Sequence, residues 1–423
     1  MKNNHEQTFV PKLRFPEFEE CGEWDIAPLG NLSHEIVEKT KGRKYKLMSI
    51  TSGIGLVSQI EKFGREIAGN SYDNYYVINK GDFAYNKSST KLYPEGEIAV
   101  LENETQAAVP NSIFTCFRFE PNKIYSAFAK YPFTNNIHGK WLKKFIAVGA
   151  RANGALQVNI KDLLSVPFPY PSLPEQEKIA ACLSSLDDLI SAENHKLDAL
   201  TAHKKGLLQH LFPAEGETVP KLRFPEFEDG GEWEEKSLGE ICKITSGGTP
   251  SRTNNDYWNG EIPWISTTLI DFNTINAANE YITEAGLQNS SAKIFPKDTI
   301  LMAMYGQGKT RGKVAILGIE AATNQACAAI LLKAGYDTNF VFQNLAGRYD
   351  EIRELSNQGG QENLSGGLIE SIPISIPVNP QEQEKIAACL SSLDDLISAQ
   401  RRKVEALKVQ KKGLMQGLFP EGQ

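Results

Sequence analysis

The chain contains the same sequence blocks twice, and this duplication constrains its fold more than any single motif does. Residues 10–24 align with residues 219–233, and 13 of the 15 positions are identical. An 18-residue block, EQEKIAACLSSLDDLISA, occurs without change at residues 175–192 and 382–399. The sequences between these blocks show little similarity. Such a repeat indicates one scaffold that is built twice and that carries two different heads.

A long helix with an apolar seam is predicted after each head. Prolines precede each 18-residue block, and acidic residues stand in the first turn, where the helix dipole favours them. Apolar residues then recur at steps of four and three over about five heptads. They begin with Ile179, Leu183, Leu186 and Ile190 in the first helix and with Ile386, Leu390, Leu393 and Ile397 in the second. The seam is interrupted at Glu193 and Lys204, and at the equivalent Gln400 and Lys411.

Two arrangements of these helices are compatible with the pattern. Each helix could pack independently on its own domain, or the two could pair as a coiled coil. We favour the coiled coil because the two seams match and need a partner to bury them. Two copies that are related by duplication would most simply pair antiparallel around a pseudo-twofold axis. The helix from residue 175 to residue 211 would then act as a rigid spacer of roughly 55 Å.

The sequences of both head segments predict short strands that are separated by polar loops, which is typical of domains that mix strands with helices. The predicted fold class is therefore α+β: a pseudo-twofold tandem repeat in which two strand-rich domains are joined and separated by two long antiparallel coiled-coil helices. The predicted divisions are a conserved N-terminal arm at 1–24, a first head at 25–170, a first spacer helix at 171–213, a linker with the repeated motif at 214–233, a second head at 234–377 and a second spacer helix at 378–423.

Polar loops in the heads carry side chains that suit nucleic-acid binding. Residues 85–91 (YNKSSTK) and 305–311 (YGQGKTR) combine amide, hydroxyl and cationic groups. Lysine and arginine neutralise phosphates, while asparagine, glutamine and arginine can pair with base edges. Ordinary solvated loops remain the alternative for each stretch. The net charge of −7 argues mildly against tight DNA binding by the chain alone, although residues 25–174 hold 18 basic and 13 acidic residues.

Several other classes of protein are disfavoured by the sequence. The GKT at residues 308–310 lacks the first glycine of a phosphate-binding loop, because Ala303 stands there. The six histidines and six cysteines show no spacing typical of a metal site, a catalytic triad or a disulfide framework. No apolar run is long enough to span a membrane, and the first residues do not resemble a signal peptide. We therefore expect a reduced, cytoplasmic protein without a catalytic site or a metal of its own.

The repeated blocks resemble those of a known family. The residues that carry the resemblance are Leu13–Glu19 with Trp24, Leu222–Glu228 with Trp233, Glu175–Ala180, Glu382–Ala387, Gly260–Ser266 and Thr323–Cys327. Two variable heads, each preceded by LRFPEFE and followed by a heptad helix, resemble the specificity subunit of type I restriction–modification enzymes. The resemblance covers the whole chain.

This resemblance implies a function and a set of partners. Each head would be a target recognition domain that reads one half of an asymmetric, bipartite site in double-stranded DNA, and the helices would fix the gap. Two modification subunits with S-adenosylmethionine would methylate adenine, and restriction subunits would add ATP- and Mg-dependent cleavage, with no cofactor in this chain. The resemblance does not identify individual contact residues, so we select DNA-binding residues from the polar loops: Asn86, Lys87, Ser88 and Lys91 in the first head, Tyr305, Gln307, Lys309 and Arg311 in the second, and in second rank Arg151, Asn153, Gln361 and Asn363.

Rival interpretations come from other functional classes. A self-contained nuclease–methyltransferase would need a cofactor loop and a catalytic tetrapeptide, which the sequence lacks. A coiled-coil scaffold, or a DNA-binding protein outside restriction, would also fit the helices. The repeated string VPKLRFPEFE is predicted to seat each head against the spacer through its proline and phenylalanine residues. An interaction tag for the modification subunit is the alternative for that string.

Overall fold

The chain folds as two compact units in the computed structural model. The structure describes residues 9–67, 71–146, 156–306, 309–355 and 363–420. Unit 1 comprises Met1–Ala192 with Val404–Gln423, and unit 2 comprises Glu193–Lys403. Each unit therefore contains one head, the first part of one long helix and the last part of the other.

The described part of unit 1 contains ten strands, a set of short helices and the start of a long helix. The strands are β1 (Asp25–Pro28), β2 (Ser33–Glu35), β3 (Met48–Thr51), β4 (Gly55–Ser58), β5 (Tyr76–Asn79), β6 (Phe83–Asn86), β7 (Glu97–Val100), β8 (Gln106–Val109), β9 (Phe114–Phe119) and β10 (Pro167–Tyr170). The helices are α1 (Leu29–Leu32), α2 (Gln59–Phe63), α3 (Ser126–Thr134), α4 (Ile137–Leu142), α5 (Ile160–Leu164) and the long α6 (Leu173–Leu211).

The first head is organised around a four-stranded antiparallel sheet in the order β2-β9-β6-β7. Strands β3 and β4 form a hairpin, and β5 pairs with β8. The antiparallel pair of β1 and β10 joins the two chain ends of the head. Aromatic side chains fill the core beneath the sheet, where the stacked rings of Phe83 and Phe117 lie 5.5 Å apart. This core fixes the sheet from which the polar loops emerge.

Eleven strands lie in the residues that the structure describes in unit 2, which again contains the start of a long helix. The strands are β11 (Glu234–Ser237), β12 (Cys242–Ser246), β13 (Trp258–Ile265), β14 (Thr274–Ile275), β15 (Glu280–Ile282), β16 (Ile294–Phe295), β17 (Ile300–Ala303), β18 (Val314–Leu317), β19 (Ala321–Thr323), β20 (Cys327–Leu332) and β21 (Pro373–Ile376). The helices are α7 (Leu238–Ile241), α8 (Glu284–Gln288), α9 (Thr338–Gly347), α10 (Tyr349–Leu355), α11 (Gly366–Glu370) and the long α12 (Pro380–Leu418).

The two heads share one sheet topology despite their dissimilar sequences. The second head contains the order β12-β20-β17-β18-β14, of which the first four strands repeat β2-β9-β6-β7. The registers also agree, because Phe83 lies opposite Phe117 in one sheet and Ile300 opposite Ile330 in the other. Strands β11 and β21 close the second head as β1 and β10 close the first. The predicted tandem α+β fold is therefore confirmed.

The long helices pair antiparallel in both units. In unit 2, Lys204 Nζ in the last part of α6 lies 2.6 Å from Asp394 Oδ1 in the first part of α12. In unit 1, Lys411 near the end of α12 contacts Asp187 near the start of α6. The seam residues Ile179, Leu183, Ile386 and Leu390 are fully buried, and the other predicted seam residues are buried or half-buried. The coiled coil is confirmed, and the alternative of two independent helices is wrong.

The polar residues that interrupt each seam find polar partners on the other long helix. Residues 204 and 411 are equivalent in the repeat, as are 187 and 394, so the two lysine–aspartate contacts are one contact made twice. In unit 2, Gln400 Nε2 donates to the Glu193 backbone carbonyl at 2.8 Å and to its Oε2 at 2.6 Å. These two positions are also equivalent, so they meet each other as expected of an antiparallel pair with pseudo-twofold symmetry. The sequence shows the breaks but not these partners.

The repeated string ties each head to the start of its long helix through arginine, a role that sequence analysis missed. Arg14 donates from Nε and Nη2 to the two carboxylate oxygens of Glu175 at 2.8 and 2.7 Å. Arg223 and Glu382 repeat this contact at 2.7 and 2.8 Å. The phenylalanine contribution is present as well, since Phe15 packs half-buried on the core of unit 1. The string therefore acts as a structural link in each unit.

Candidate nucleic-acid interface

Loops of equal length follow the equivalent inner strand of the sheet in each head. Loop one, residues 87–96, connects β6 to β7, and loop two, residues 304–313, connects β17 to β18. The predicted DNA-binding residues Lys87, Ser88, Lys91, Tyr305, Lys309 and Arg311 lie on these loops, Asn86 immediately precedes loop one, and Gln307 lies outside the described residues. The structure thus brings the described members of both predicted sets to one topological position, and their contact with DNA remains a prediction.

The predicted residues of loop one differ in their exposure. Lys91 is exposed, while Lys87 and Ser88 are half-buried. Asn86 is the last residue of β6 and only 8% exposed, and its Oδ1 has no hydrogen-bond partner among the described residues. Lys87 Nζ lies 3.5 Å from the Asn111 carbonyl oxygen, and burial lowers the pKa of Lys87. Lys91 is therefore the member of this set most open to a phosphate, whereas Asn86 lies within the head.

Loop one is held by the turn between β3 and β4. The hydroxyl groups of Ser52 and Thr90 lie 3.0 Å apart, and the Gly53 amide donates to Glu97 Oε1 at 3.2 Å. Burial raises the pKa of Glu97, and the hydrogen bond from Gly53 partly opposes that shift. Thr90 also closes a tight turn, because its amide donates to the Tyr93 carbonyl at 3.1 Å. The loop is thereby prearranged rather than free to adapt.

The end of loop one is fixed from inside the head. The Tyr85 hydroxyl donates to the Glu95 carbonyl at 2.7 Å, and His138 Nε2 lies 2.8 Å from the Gly96 carbonyl. His138 is fully buried, and burial lowers its pKa to about 4. Neutral His138 therefore donates its Nε2 proton to Gly96. Gly96 has φ +92°, and a Cβ there would lie 2.5 Å from the Asn86 carbonyl oxygen.

Loop two exposes two of the three predicted residues that the structure describes there. Tyr305 and Lys309 are exposed, Arg311 is only 9% exposed, and Gln307 lies outside the described residues. The Tyr349 hydroxyl donates to the Lys309 carbonyl at 2.6 Å and anchors the loop backbone. Tyr305 and Lys309 can therefore meet a ligand directly, whereas the burial of Arg311 favours a role in shaping the loop.

The remaining predicted DNA-binding residues, Arg151, Asn153, Gln361 and Asn363, precede segments that are hydrogen-bonded to these loops. Arg151, Asn153 and Gln361 lie outside the described residues, and Asn363 is exposed. The Leu156 amide donates to the Lys87 carbonyl at 2.8 Å, and the Leu364 amide donates to the Met304 carbonyl at 3.0 Å. Each hydrogen bond joins the first residue of a loop to the segment that follows two of these predicted residues. Of these four residues, the structure therefore places Asn363 beside its loop.

Sequence analysis missed further polar residues at the same edge of the second head. The exposed Gln325 precedes β20, and its Oε1 lies 2.5 Å from Thr249 Oγ1. Strand β20 pairs with β17, so Gln325 and Thr249 lie at the end of the sheet where loop two begins. Gln325 belongs to the TNQAC motif at residues 323–327, one of the motifs that carry the family resemblance. Its place in that motif is the sequence feature that could have identified Gln325.

A cation stacked on aromatic rings was also missed in the second head. The Arg252 guanidinium lies 3.7 Å from the centre of the Trp258 ring and 4.9 Å from that of Trp264. Arg252 also pairs with Glu280. The stacking and the ion pair together favour a structural role for Arg252.

The repeated 18-residue block presents the same exposed surface in both units. Exposed residues that are identical in the two copies include Glu177 and Glu384, Lys178 and Lys385, Ala181 and Ala388, Ser185 and Ser392, Asp188 and Asp395, and Leu189 and Leu396. Internal packing does not require identity at exposed positions, since most surface substitutions have little effect on stability. An external contact that is made twice would account for this identity.

Across the described ranges, no group of three or more histidine, cysteine, aspartate or glutamate residues is placed to hold a metal ion. Within the same ranges, no helix is both long enough and apolar enough to cross a membrane.

Comparison with known proteins agrees with this architecture. The chain is 30% identical to the type I restriction enzyme MjaIX specificity subunit of Methanocaldococcus jannaschii over 42% of its length and 41% of the relative. It is 28% identical to the EcoR124I/EcoR124II specificity subunit of Escherichia coli over 55% and 56%. The putative MjaX specificity subunit of M. jannaschii is 26% identical over 80% and 78%. The alignments thus span about half the length of the first two relatives.

Solved structures show the same fold at low sequence identity. The type I restriction–modification S subunit of M. genitalium superposes with a TM-score of 0.63 at 16% identity, covering 98% of this chain and all of the other. The family described as the type I restriction modification DNA specificity domain matches twice, at residues 35–202 and 230–408. Because these two matches cover most of its length, the chain belongs to the family of type I restriction–modification specificity subunits.

Proposed function

We propose that this chain determines the DNA sequence on which a type I restriction–modification complex acts, with one head for each half of an asymmetric, bipartite site. The heads are the predicted domains at residues 25–170 and 234–377. Catalysis belongs to partner subunits, which would supply S-adenosylmethionine for methylation and ATP with Mg for restriction. The antiparallel helices would set the gap between the half-sites.

The observation that carries this proposal is the pair of loops. One sheet topology is repeated in register, ten residues connect the equivalent pair of strands in each head, and the two loop sequences differ. A scaffold that keeps loop position and length while changing loop sequence suits recognition of two unlike DNA sequences by the same docking geometry. Two identical heads would instead suit a palindrome.

The repeated helix surface supports a second part of the proposal, the docking of two modification subunits. The two copies of the 18-residue block agree at every exposed position, whereas the heads have diverged. An identical partner that binds twice would require this agreement. Leu189 and Leu396 offer it an exposed apolar contact in each copy.

Adenine methylation by the assembled complex tests the proposal. The chain is co-expressed with its modification subunit, and methylated positions are mapped across genomic DNA. We expect one asymmetric site with two specific halves and a constant gap. Methylation without sequence preference, or at a palindrome, would contradict two-headed recognition.

Matched lysine variants connect the loops to this readout. Lys91→Ala and Lys309→Ala remove exposed cations from loops one and two, while Lys80→Ala and Lys297→Ala remove exposed cations near the opposite ends of β6 and β17. We expect only the loop variants to weaken binding of the cognate duplex. Equal effects of the two pairs would favour a scaffold whose heads bind DNA elsewhere or not at all.

A further inference from the structure

The first head holds two large apolar side chains in water next to loop one. Ile54, at the tip of the β3–β4 turn, is 74% exposed, and Leu92, at the tip of loop one, is 65% exposed. Burial of apolar surface is favourable by about 25 cal/mol per Å², so such exposure is costly. Single exposed apolar residues are common on protein surfaces, but here two stand on adjoining loops.

The structure keeps these two residues together. A Cβ at Gly53 would lie 3.2 Å from Leu92 Cδ1, so the backbone of the turn adjoins the leucine side chain. The hydrogen bond between Ser52 and Thr90 joins the residues that precede each tip by two positions. The Ile54–Leu92 tip, as we name this pair, is therefore a prearranged apolar surface.

The surroundings of the tip favour DNA as its partner. Lys91 is exposed beside Leu92, and Lys87 stands at the base of the same loop. The nearby acidic groups are in part neutralised, because Glu102 pairs with Lys130 at 2.8 Å and burial favours the neutral form of Glu97. An apolar tip with the exposed cation Lys91 beside it fits a groove that has phosphates along its edges.

The major groove displays one apolar feature on its base edges, the C5-methyl group of thymine. We propose that the Ile54–Leu92 tip reads a thymine methyl group in the half-site of the first head, which makes both residues determinants of sequence specificity. This inference rests on the proposed function and names thymine as one of the bases that the first head recognises. In the second head, loop two exposes Tyr305 instead, so the methyl requirement should be confined to one half-site.

Uracil-for-thymine substitution tests this proposal, since it removes only the methyl group. The full chain in complex with its modification subunit is titrated with cognate duplexes in which each thymine is replaced in turn. At one position in the first half-site we expect uracil to weaken binding about fourfold, which corresponds to one buried carbon group of about 0.8 kcal/mol. Ile54→Ala with Leu92→Ala should bind the thymine duplex less tightly and no longer distinguish uracil from thymine.

The control variant is Ile26→Ala, which truncates an exposed isoleucine on β1 at the chain ends of the same head. It should retain the full discrimination, and all variants should unfold at the wild-type temperature. The proposal is overturned if no thymine of the first half-site shows a methyl effect, if that half-site contains no thymine on either strand, or if the double variant keeps the effect. A wild-type complex that recognises no bipartite site would refute the proposed function instead, and this proposal with it.

Discussion

Replacement of Arg14 by leucine should strongly destabilise unit 1, although Arg14 stands in a terminal arm. Its guanidinium donates two hydrogen bonds to Glu175 and a third to the Gly22 carbonyl at 2.5 Å. The Arg14 side chain is 7% exposed and that of Glu175 is 1% exposed. Removal of Arg14 would leave the carboxylate buried, with the Trp24 indole at 3.3 Å as the one remaining side-chain donor among the described residues.

The magnitude follows from the burial of the partner. Breaking a buried ion pair by removing one member costs about 3–5 kcal/mol, because the other charge remains without compensation. For a unit of this size that cost corresponds to a fall in the unfolding temperature of roughly 10 °C. The same string offers a matched control, since Lys178 and Glu17 form an ion pair in which both side chains are about half exposed. Lys178→Ala should leave the unfolding temperature unchanged within error.

Thermal unfolding and urea unfolding of the full chain, both followed by circular dichroism, measure the change in unfolding temperature and in the free energy of unfolding. The double variant Arg14→Leu with Glu175→Leu should recover most of the loss, because it removes the uncompensated charge together with its partner. Arg223→Leu should reproduce the result in unit 2, where Arg223 binds Glu382 in the same way. The reasoning is refuted if Arg14→Leu costs no more than Lys178→Ala, or if the double variant is no more stable than the single one.

Further predictions concern loop one and its lysines. Gly96→Ala should destabilise unit 1 in urea by about 1–2 kcal/mol for the positive φ alone, and by more because its Cβ would clash with the Asn86 carbonyl oxygen. Because the folded state holds the pKa of His138 at about 4, below its unfolded value near 6.5, stability should be complete above pH 6.5. It should fall by about 3 kcal/mol as the pH drops to 4, and His138→Gln should flatten that pH profile. Lys91→Ala and Lys309→Ala should each reduce the slope of log affinity against log salt by about 0.9 in duplex titrations, without changing the preferred sequence.

Local periodicity explains why so much of the spacer could be predicted. A heptad seam is visible within the helix that forms it, and two matching seams indicate a partner. The likeness of the two heads was not visible, because sheet topology depends on pairing between distant strands such as β6 and β9 and not on shared residues. The ion pair of Arg14 with Glu175 joins residues 161 positions apart, so no local pattern indicates it. Likewise, the burial of Asn86 and Arg311 depends on packing that their polar character does not reveal.

A comparison of the two copies separates positions that the fold constrains from positions that it leaves free. Asp187 and Asp394 are identical and each binds a lysine of the other long helix, yet the head contributes a tyrosine to one and a glutamine to the other. The Tyr131 hydroxyl donates to Asp187 Oδ2 at 3.0 Å, and Gln343 Nε2 donates to Asp394 Oδ2 at 2.6 Å. The fold therefore requires a hydrogen-bond donor at this place but not a particular side chain. Loops one and two share their length and a hydrogen bond at their first residue, whereas their exposed residues differ, which is what the proposed recognition of two unlike DNA sequences requires.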